Sequence, residues 1–408
     1  MARKLASIVE IGELQPIEGA DKIEVAIPKG KGWKIVVAKG EFNVGDLAVM
    51  CEIDSYLPAD DERYAFLRDR CLRKFVSKSG NVLREGLKIK TIKLRGVISQ
   101  GLLMPLDKFP EVTSRIIEGK FLTCTKDEWQ NELDKICAES NEPLDVVPYA
   151  KEDYLVEPIG ANVTKLLYVE HYDEVKEQLQ PAMGNPICAD ALGKFPSDYI
   201  PKTDEERIQN LGDWFEKMKG RRWQVSCKHD GTSCTIAFSP TVDFDNPNIV
   251  CSRNLRLKRE TADGKIPIYW QMAEKYGILD KLGDLFVGAE EYAVQGEIVG
   301  PGINKCKNKE TDYKFLCFRI WDIKNQKWVN PKKTKELCEK FQIPHVQIVK
   351  DDFAFFDEIK TMDEALKFAE GKTAEGNERE GVVLKTIDAL PYASFKIVSN
   401  KYLMKQED

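Results

Sequence analysis

The sequence predicts an α+β chain of several domains: an N-terminal barrel of short strands, then a larger domain of mixed strands and helices. Two patterns and a length carry this. Short strand-like runs broken by turns fill the stretch from Leu5 to Leu106, and strand-like and helix-like runs interleave after Trp223. At 408 residues the chain has room for two or three domains, each with its own core. The expected division is a barrel over 1–108, an acidic helical insertion over 109–158, an interdomain linker over 159–195 and a second domain over 196–408.

In the first segment A-S-I-V-E-I-G, K-I-E-V-A-I-P, W-K-I-V-V-A and L-A-V-M-C-E-I read as strands, separated by E-G-A-D-K, K-G-K-G and F-N-V-G-D. About five such strands suggest an OB-fold, whose open face often binds oligonucleotides. Lys29, Lys31, Lys34 and Lys39 surround Trp33, a pattern of single-strand binders. A core tryptophan ringed by solvated lysines reads equally well. Lys88, Lys90, Lys93 and Arg95 add cations suited to phosphate contacts.

T-K-D-E-W-Q-N-E-L-D-K-I-C-A-E-S-N-E then reads as an acidic helix with solvated faces, and Gln178–Asp198, with three prolines, reads as a linker. Thr203 or Asp204 is placed to cap a helix over the following acidic run. Strands are expected around Lys228 and over Ile249–Arg253, Tyr292–Val299 and Phe315–Ile323, with helices near Tyr269–Tyr276, Lys333–Phe341 and Thr361–Gly371. Gly371–Thr373 spells G-K-T, but a P-loop needs a glycine where Leu366 stands, so Gly371 reads as a helix cap.

Composition narrows the function classes. The apolar fraction of 42% and charged fraction of 31% are ordinary for a soluble protein. No run of about 18 apolar residues predicts a membrane span, and the N-terminus has no apolar signal core. The 11 cysteines are scattered without a C-x-x-C pair, which fits reduced thiols in the cytoplasm or nucleus and argues against zinc. A net charge of -6 speaks against a passive nucleic-acid coat but leaves room for a local basic groove. With only three histidines, lysine and carboxylate chemistry gains weight.

That chemistry centres on Q-V-S-C-K-H-D-G-T-S-C-T-I-A-F, Gln224–Phe238, read as strand, Asp-Gly turn and strand. Lys228 and Asp230 stand two apart, so they can share a surface, and Gly231 permits a bend and a close approach. A free lysine titrates near about 10.4, so about one in a thousand is neutral near pH 7.4; a nucleophilic lysine needs that value lowered. An Asp-Gly hairpin beside a solvated lysine is the plain alternative. Further along the chain stand, in order, S-R-N with Arg253, Q-G-E-I-V-G with Glu297, F-R-I-W-D-I over Phe318–Ile323, E-G-V-V-L-K over Glu380–Lys385 and S-F-K-I-V-S-N-K-Y-L with Lys396.

This ordered set resembles the motifs of covalent nucleotidyltransferases, the polynucleotide ligases and mRNA capping enzymes. I-E-G-A-D-K-I-E-V-A, F-N-V-G-D-L-A-V and I-K-T-I-K-L-R-G-V-I-S-Q-G-L-L-M-P-L resemble the N-terminal OB domain of the RNA ligase 5 type of ATP-dependent RNA ligase. The resemblance implies an OB-fold followed by a nucleotidyltransferase domain of ATP-grasp-like antiparallel sheets. It implies ATP as donor, AMP carried on Lys228, and Mg²⁺, with Mn²⁺ also accepted. Lys385 and Lys396 would contact the α-phosphate, and their charge would lower the Lys228 pKa. Asp230, Glu297 and Glu380 would hold the hydrated metal or the ribose. Arg207 and Arg253 match arginines near the nucleotide. Trp321 falls where an aromatic stacks on adenine, with Phe318 the other candidate and one of the two belonging to the core. The implied partner is a nicked duplex with an RNA 3′-OH strand, bound by a monomer without a membrane.

One departure stands out: many relatives carry Lys-x-Lys in the last motif, where S-F-K-I-V leaves Ser394 or Val398 in place of one lysine, with Lys401 a possible substitute. DNA ligases and capping enzymes carry an OB domain after the last motif. Only the 12 residues Ile397–Asp408 follow Lys396, which favours the N-terminal arrangement. DNA ligation, capping and a catalytically inactive RNA-binding module remain the alternatives, the last weakened by the intact Lys228, Glu297, Glu380 and Lys385.

Overall fold

The computed structural model describes residues 4–139, 148–184, 191–212, 214–303, 310–388 and 392–406. The chain forms two compact units, Met1–Met183 and Gly184–Asp408.

In the first unit a five-stranded sheet has the order β10-β4-β1-β2-β3, from β1 (Ala6–Pro16), β2 (Ile23–Pro28), β3 (Ile35–Ala38), β4 (Leu47–Cys51) and β10 (Leu102–Pro105). A four-stranded sheet, β14-β5-β7-β6, uses β5 (Ser55–Pro58), β6 (Leu72–Val76), β7 (Val82–Lys88) and β14 (Glu170–His171), and β8 (Thr91–Leu94) pairs with β9 (Val97–Gln100). β1 organises the unit because its alternation feeds two cores. Ala6 and Ile8 enter one with Leu57, Tyr64 and Leu87, while Val9 and Ile11 enter another with Trp33, Ile35 and Phe42. The strand changes ladder at a bulge beside Gly12, where a Cβ would lie 2.8 Å from the Lys29 Cα. Trp33 is fully buried, so it is the core tryptophan and not a stacking platform. Lys29 is paired with Glu10 at 2.6 Å and Lys88 lies over the Tyr172 ring at 4.3 Å, whereas Lys93 and Arg95 are exposed.

The boundary differs from the expected one. Residues 159–183 are no linker: Val163, Leu167 and Val169 fill the first core, and Thr164 Oγ1 accepts the N–H groups of Leu5 and Ala6. Phe109, Val112 and Phe121 join the same core, so the insertion begins inside it. A small sheet, β11 (Ile116–Ile117), β12 (Lys120–Leu122) and β13 (Leu155–Val156), carries the expected helix, Lys126–Glu139. Apolar side chains at these positions find more burial against the barrel than a linker would give them. The remainder of the expected linker includes 185–190, outside the described residues.

The second unit is built on two sheets. A seven-stranded sheet has the order β15-β20-β19-β18-β21-β22-β23, from β15 (Ala191–Lys194), β18 (Thr232–Phe238), β19 (Asn248–Cys251), β20 (Leu255–Leu257), β21 (Tyr292–Val299), β22 (Lys314–Asp322) and β23 (Lys327–Trp328). A five-stranded sheet has the order β16-β26-β25-β17-β24, from β16 (Glu206–Arg207), β17 (Trp223–Lys228), β24 (Ile348–Phe353), β25 (Gly381–Thr386) and β26 (Ser394–Val398). Helices Ile268–Lys275, Ile278–Val287 and Pro331–Lys340 cover one face of the larger sheet through Cys234, Ile236, Val294 and Phe315. Helix Met362–Ala369 opens on a Thr361–Glu364 capping box and packs on Trp223, Val225, Val382 and Phe395 of the smaller sheet. Gly371 follows that helix as a left-handed residue rather than within a phosphate loop.

Two local expectations fail for tertiary reasons. No helix starts at Thr203 or Asp204; Glu206 and Arg207 instead pair in parallel with Phe395 and Lys396. The Asp-Gly turn does not close a hairpin either. Both edges of β17 are taken by β24 and β25, and both edges of β18 by β19 and β21, so His229–Gly231 crosses from one sheet to the other.

Candidate active site

The register of the five-stranded sheet gathers the cations. Lys228 pairs with Gly381 and Gly381 with Val398; Ser226 pairs with Val383 and Val383 with Lys396; Gln224 pairs with Lys385 and Lys385 with Ser394. Directly paired residues share a face, and i, i+2 residues share it too. Lys228, Lys385 and Lys396 therefore stand on the face opposite the Trp223, Val225 and Phe395 core, and Arg207 joins them opposite Lys396.

The other face of the larger sheet, part of it packed under Phe195 and Ile200, is graded in three rows. Ile249, Ala237, Ala293, Trp321 and Trp328 form an apolar row; Cys251, Thr235, Gln295 and Arg319 form the next; Ser233, Glu297 and Leu316 form the last. β22 bulges between Cys317, opposite Gly296, and Arg319, opposite Gln295, leaving Phe318 as the extra residue. The two faces meet through side chains. The Arg319 Nη1 donates to Ser394 Oγ at 3.2 Å and pairs with Glu205 at 3.4 Å, while its guanidinium lies 4.0 Å over Trp328. The Lys385 Nζ donates to the Phe318 carbonyl, with its ammonium 5.6 Å from the Phe318 ring.

The connector brings Lys228 to the carboxylates. Its Nζ donates to Glu380 Oε2 at 2.6 Å. Gly231 N–H donates to Glu297 Oε1 at 3.1 Å, and a Cβ on Gly231 would lie 2.3 Å from the Ile298 carbonyl oxygen. Only glycine passes there, because the chain's own β21 makes the close approach. Tyr402 Oη donates to Asp230 Oδ2 at 2.6 Å.

The electrostatics reverse one expectation. Burial acts to lower the Lys228 pKa, yet Glu380, Glu297 and Asp230 outweigh it and hold the ammonium above the usual lysine range. The other lysines do not prevail because their charges are engaged elsewhere: Lys385 on the Phe318 carbonyl, Lys396 on Asp204 at 2.8 Å. Burial, helped by Arg319, pulls Lys385 down to about 8. Burial also lowers Lys396, against the pull of Asp204. Burial pushes Glu297 up to about 8, with Glu380 and Asp230 adding to the rise against Lys228.

Three acids around one amine, one of them held protonated by burial, suit a divalent cation that would take up the excess negative charge. Among the described residues no three His, Cys, Asp or Glu side chains stand close enough to ligate one ion directly. The set therefore fits an ion that keeps most of its waters, as Mg²⁺ does.

Of the expected residues, Lys228, Asp230, Glu297, Glu380, Lys396 and Arg207 come together, while Lys385, on the Gln224 rung four residues along β17 from Lys228, meets Phe318. Arg253 is exposed on the β19–β20 turn, beyond the Cys251 rung and so toward the Ser233 and Glu297 row. Trp321 does not join them. It pairs with Ala293, four residues along β21 from Glu297, is buried, donates its Nε1–H to the Tyr199 carbonyl at 2.9 Å and packs on Trp328 at 4.8 Å. It is the core member of the aromatic pair. Ser394 and Val398 share the Lys396 face, and Lys401 is paired with Glu378 at 2.8 Å. Arg319, Glu205 and Tyr402 were not singled out from the sequence. Arg319 sits in F-R-I-W-D-I, where strand alternation alone groups it with Trp321; nothing local marks Tyr402.

Comparison with known proteins agrees with this arrangement. An OB-fold domain model matches residues 5–106 and an RNA ligase model matches residues 221–403. Similar solved structures include a variant of the Naegleria gruberi RNA ligase with ATP and Mn, at 30% identity and TM-score 0.74, covering 100% of both chains. The same ligase with PPi is 31% identical, and a variant with AMP and Mn is 30% identical, each with TM-score 0.74 and 100% coverage of both chains. No curated protein in the comparison matches the chain. The chain belongs to the RNA ligase family, with an OB-fold domain preceding the ligase domain.

Proposed function

We propose that the protein is an ATP-dependent ligase that seals 3′-OH/5′-phosphate nicks whose 3′-OH strand is RNA, in RNA repair, as a monomer in the cytoplasm or nucleus. The observation that carries the reading is the convergence of Glu380 and Glu297 on Lys228, on the sheet face that also bears Lys385, Lys396 and Arg207. The Naegleria structures, with ATP and Mn, AMP and Mn, or PPi, support ATP as donor and Mg²⁺ or Mn²⁺ as the accompanying ion.

In the first step the Lys228 amine, having lost a proton to solvent, forms a bond to the α-phosphorus of ATP. The α–β phosphoanhydride bond breaks, pyrophosphate leaves, and the second amine proton is shed to give lysyl-AMP. Lys385, Lys396 and Arg207 face the charge that develops on the α-phosphate. In the second step an RNA 5′-phosphate oxygen bonds to the AMP phosphorus, the P–N bond breaks, and the Lys228 nitrogen takes up a proton from solvent, leaving an adenylylated 5′-phosphate. In the third a 3′-OH bonds to that 5′-phosphorus, the bond to AMP breaks, and the proton of the 3′-OH passes to solvent. Positioning and charge neutralisation dominate such transfers. A bound divalent cation supplies positive charge that offsets the carboxylates now keeping Lys228 protonated. Glu297, Glu380 and Asp230 would hold it through its waters. Phe318, beside Lys385, offers a ring for an adenine.

Incubation with α-labelled ATP and Mg²⁺ should leave label on the wild-type chain and none on Lys228→Ala. Labelling from GTP alone would redirect the reading to capping. Nicks with an RNA 3′-OH should be sealed faster than nicks with a DNA 3′-OH; equal rates would remove the RNA preference.

A further inference from the structure

Asp230 belongs to neither sheet. It lies on the connector, where no strand ladder fixes its side chain. It is anchored by the Tyr402 hydroxyl at 2.6 Å, in a partly buried contact. Tyr402 rides on the C-terminal helix Asn400–Gln406, and that helix is tied at its first turn. The Ser399 N–H donates to the Glu380 carbonyl at 2.8 Å, Ser399 Oγ accepts the Tyr402 N–H at 3.2 Å, and the Ser399 carbonyl accepts the Leu403 N–H at 3.0 Å. Lys401 and Lys405 both reach Glu378, at 2.8 and 2.6 Å, two residues before Glu380. A single helical segment thus holds the backbone of Glu380, the loop leading to it and the carboxylate of Asp230.

We propose that Tyr402 is a positioning residue for Asp230, and that the C-terminal helix braces Asp230 and Glu380 at a fixed separation on either side of Lys228. A hydroxyl bound to one carboxylate oxygen fixes the rotation of the group and so the direction in which its other lone pairs meet a hydrated cation. Partners of this kind, one step removed from the ion, are commonly worth about 10–100-fold in metal affinity or activity. The inference rests on the ligase reading for what the cation serves, and on geometry alone for what Tyr402 holds.

The test is Tyr402→Phe, which keeps the ring and removes only the hydroxyl. Mn²⁺ binding to the full chain is followed by the electron paramagnetic resonance of free Mn²⁺, in the presence of a non-cleavable ATP analogue. The affinity should fall about tenfold, with the melting midpoint within about 2 °C of wild type. AMP labelling should slow about tenfold at limiting Mn²⁺ and recover most of its rate at saturating Mn²⁺. In an Asp230→Ala background the added change should shrink to less than about twofold, because the two groups act as a unit. Unchanged Mn²⁺ affinity in Tyr402→Phe, or an equal loss with and without Asp230, overturns the brace. A wild-type chain that takes no label defeats the ligase reading instead, and the Mn²⁺ titration still decides the role of Tyr402.

Discussion

The two sheets of the second unit contribute opposite charges by different routes. The smaller sheet presents its lysines by strand alternation: Lys228, Lys385 and Lys396 stand on three neighbouring strands at positions that register aligns. The larger sheet gives one acid, Glu297, at the polar end of a face whose other end is apolar core, while Asp230 and Glu380 come from chain just outside the strands. The cationic half is therefore set by strand register and costly to bury, and the acidic half is held by the connector and by the bonds of the C-terminal helix.

The largest effect should come from removing a buried cation. Lys385→Met should slow AMP transfer to Lys228 by about 10²–10³-fold, the range for one group that faces developing charge. The same change should stabilise the fold. A lysine held down at about 8 in the folded state carries a full penalty at neutral pH, relieved as pH rises from about 8 toward its unfolded value. Less the lost hydrogen bond to Phe318, the gain should be about 1–2 kcal/mol by denaturant unfolding at pH 7. A loss of stability would show the lysine side to be unstrained.

The acidic half should reveal itself through pH. Glu297, raised to about 8, must give up its proton before it can help hold a cation. Mn²⁺ affinity should therefore climb about tenfold between pH 6.5 and 8, and Glu297→Gln should flatten the climb. A pH-independent affinity in the wild type would place the cation away from Glu297. The smallest functional effect belongs to the apolar row. Trp321→Phe should cost about 1–3 kcal/mol of stability through lost packing and the lost bond to Tyr199, yet leave the KM for ATP within about twofold. A large rise in KM would return Trp321 to the nucleotide.

Much of this was legible because motif order and strand period are local properties. Lys228, Glu297, Lys385 and Lys396 each sit in a short strand-like run, and each lies on a strand, with Glu380 just before one. What the sequence did not disclose depends on pairing partners. An Asp-Gly pair between two strand-like runs signals a hairpin, but the edges that it would need are already occupied. Thr203 and Asp204 look like helix caps until β26 offers Arg207 a parallel partner. Trp33 and Trp321 carry no local mark that separates a buried ring from a stacking one. The Lys228 pKa depends on a 2.6 Å contact with a residue 152 positions away.

The extra residue in β22 has a consequence for how this fold tolerates change. Deleting Phe318 would carry the Cys317–Gly296 pair straight into Arg319–Gln295, so Arg319, Ile320 and Trp321 would keep their faces. What would go is the carbonyl that receives the Lys385 ammonium, and with it the acceptor of a buried cation. One surplus residue in this strand serves a charge on the other sheet, so the ladder tolerates a shortening that the lysine does not.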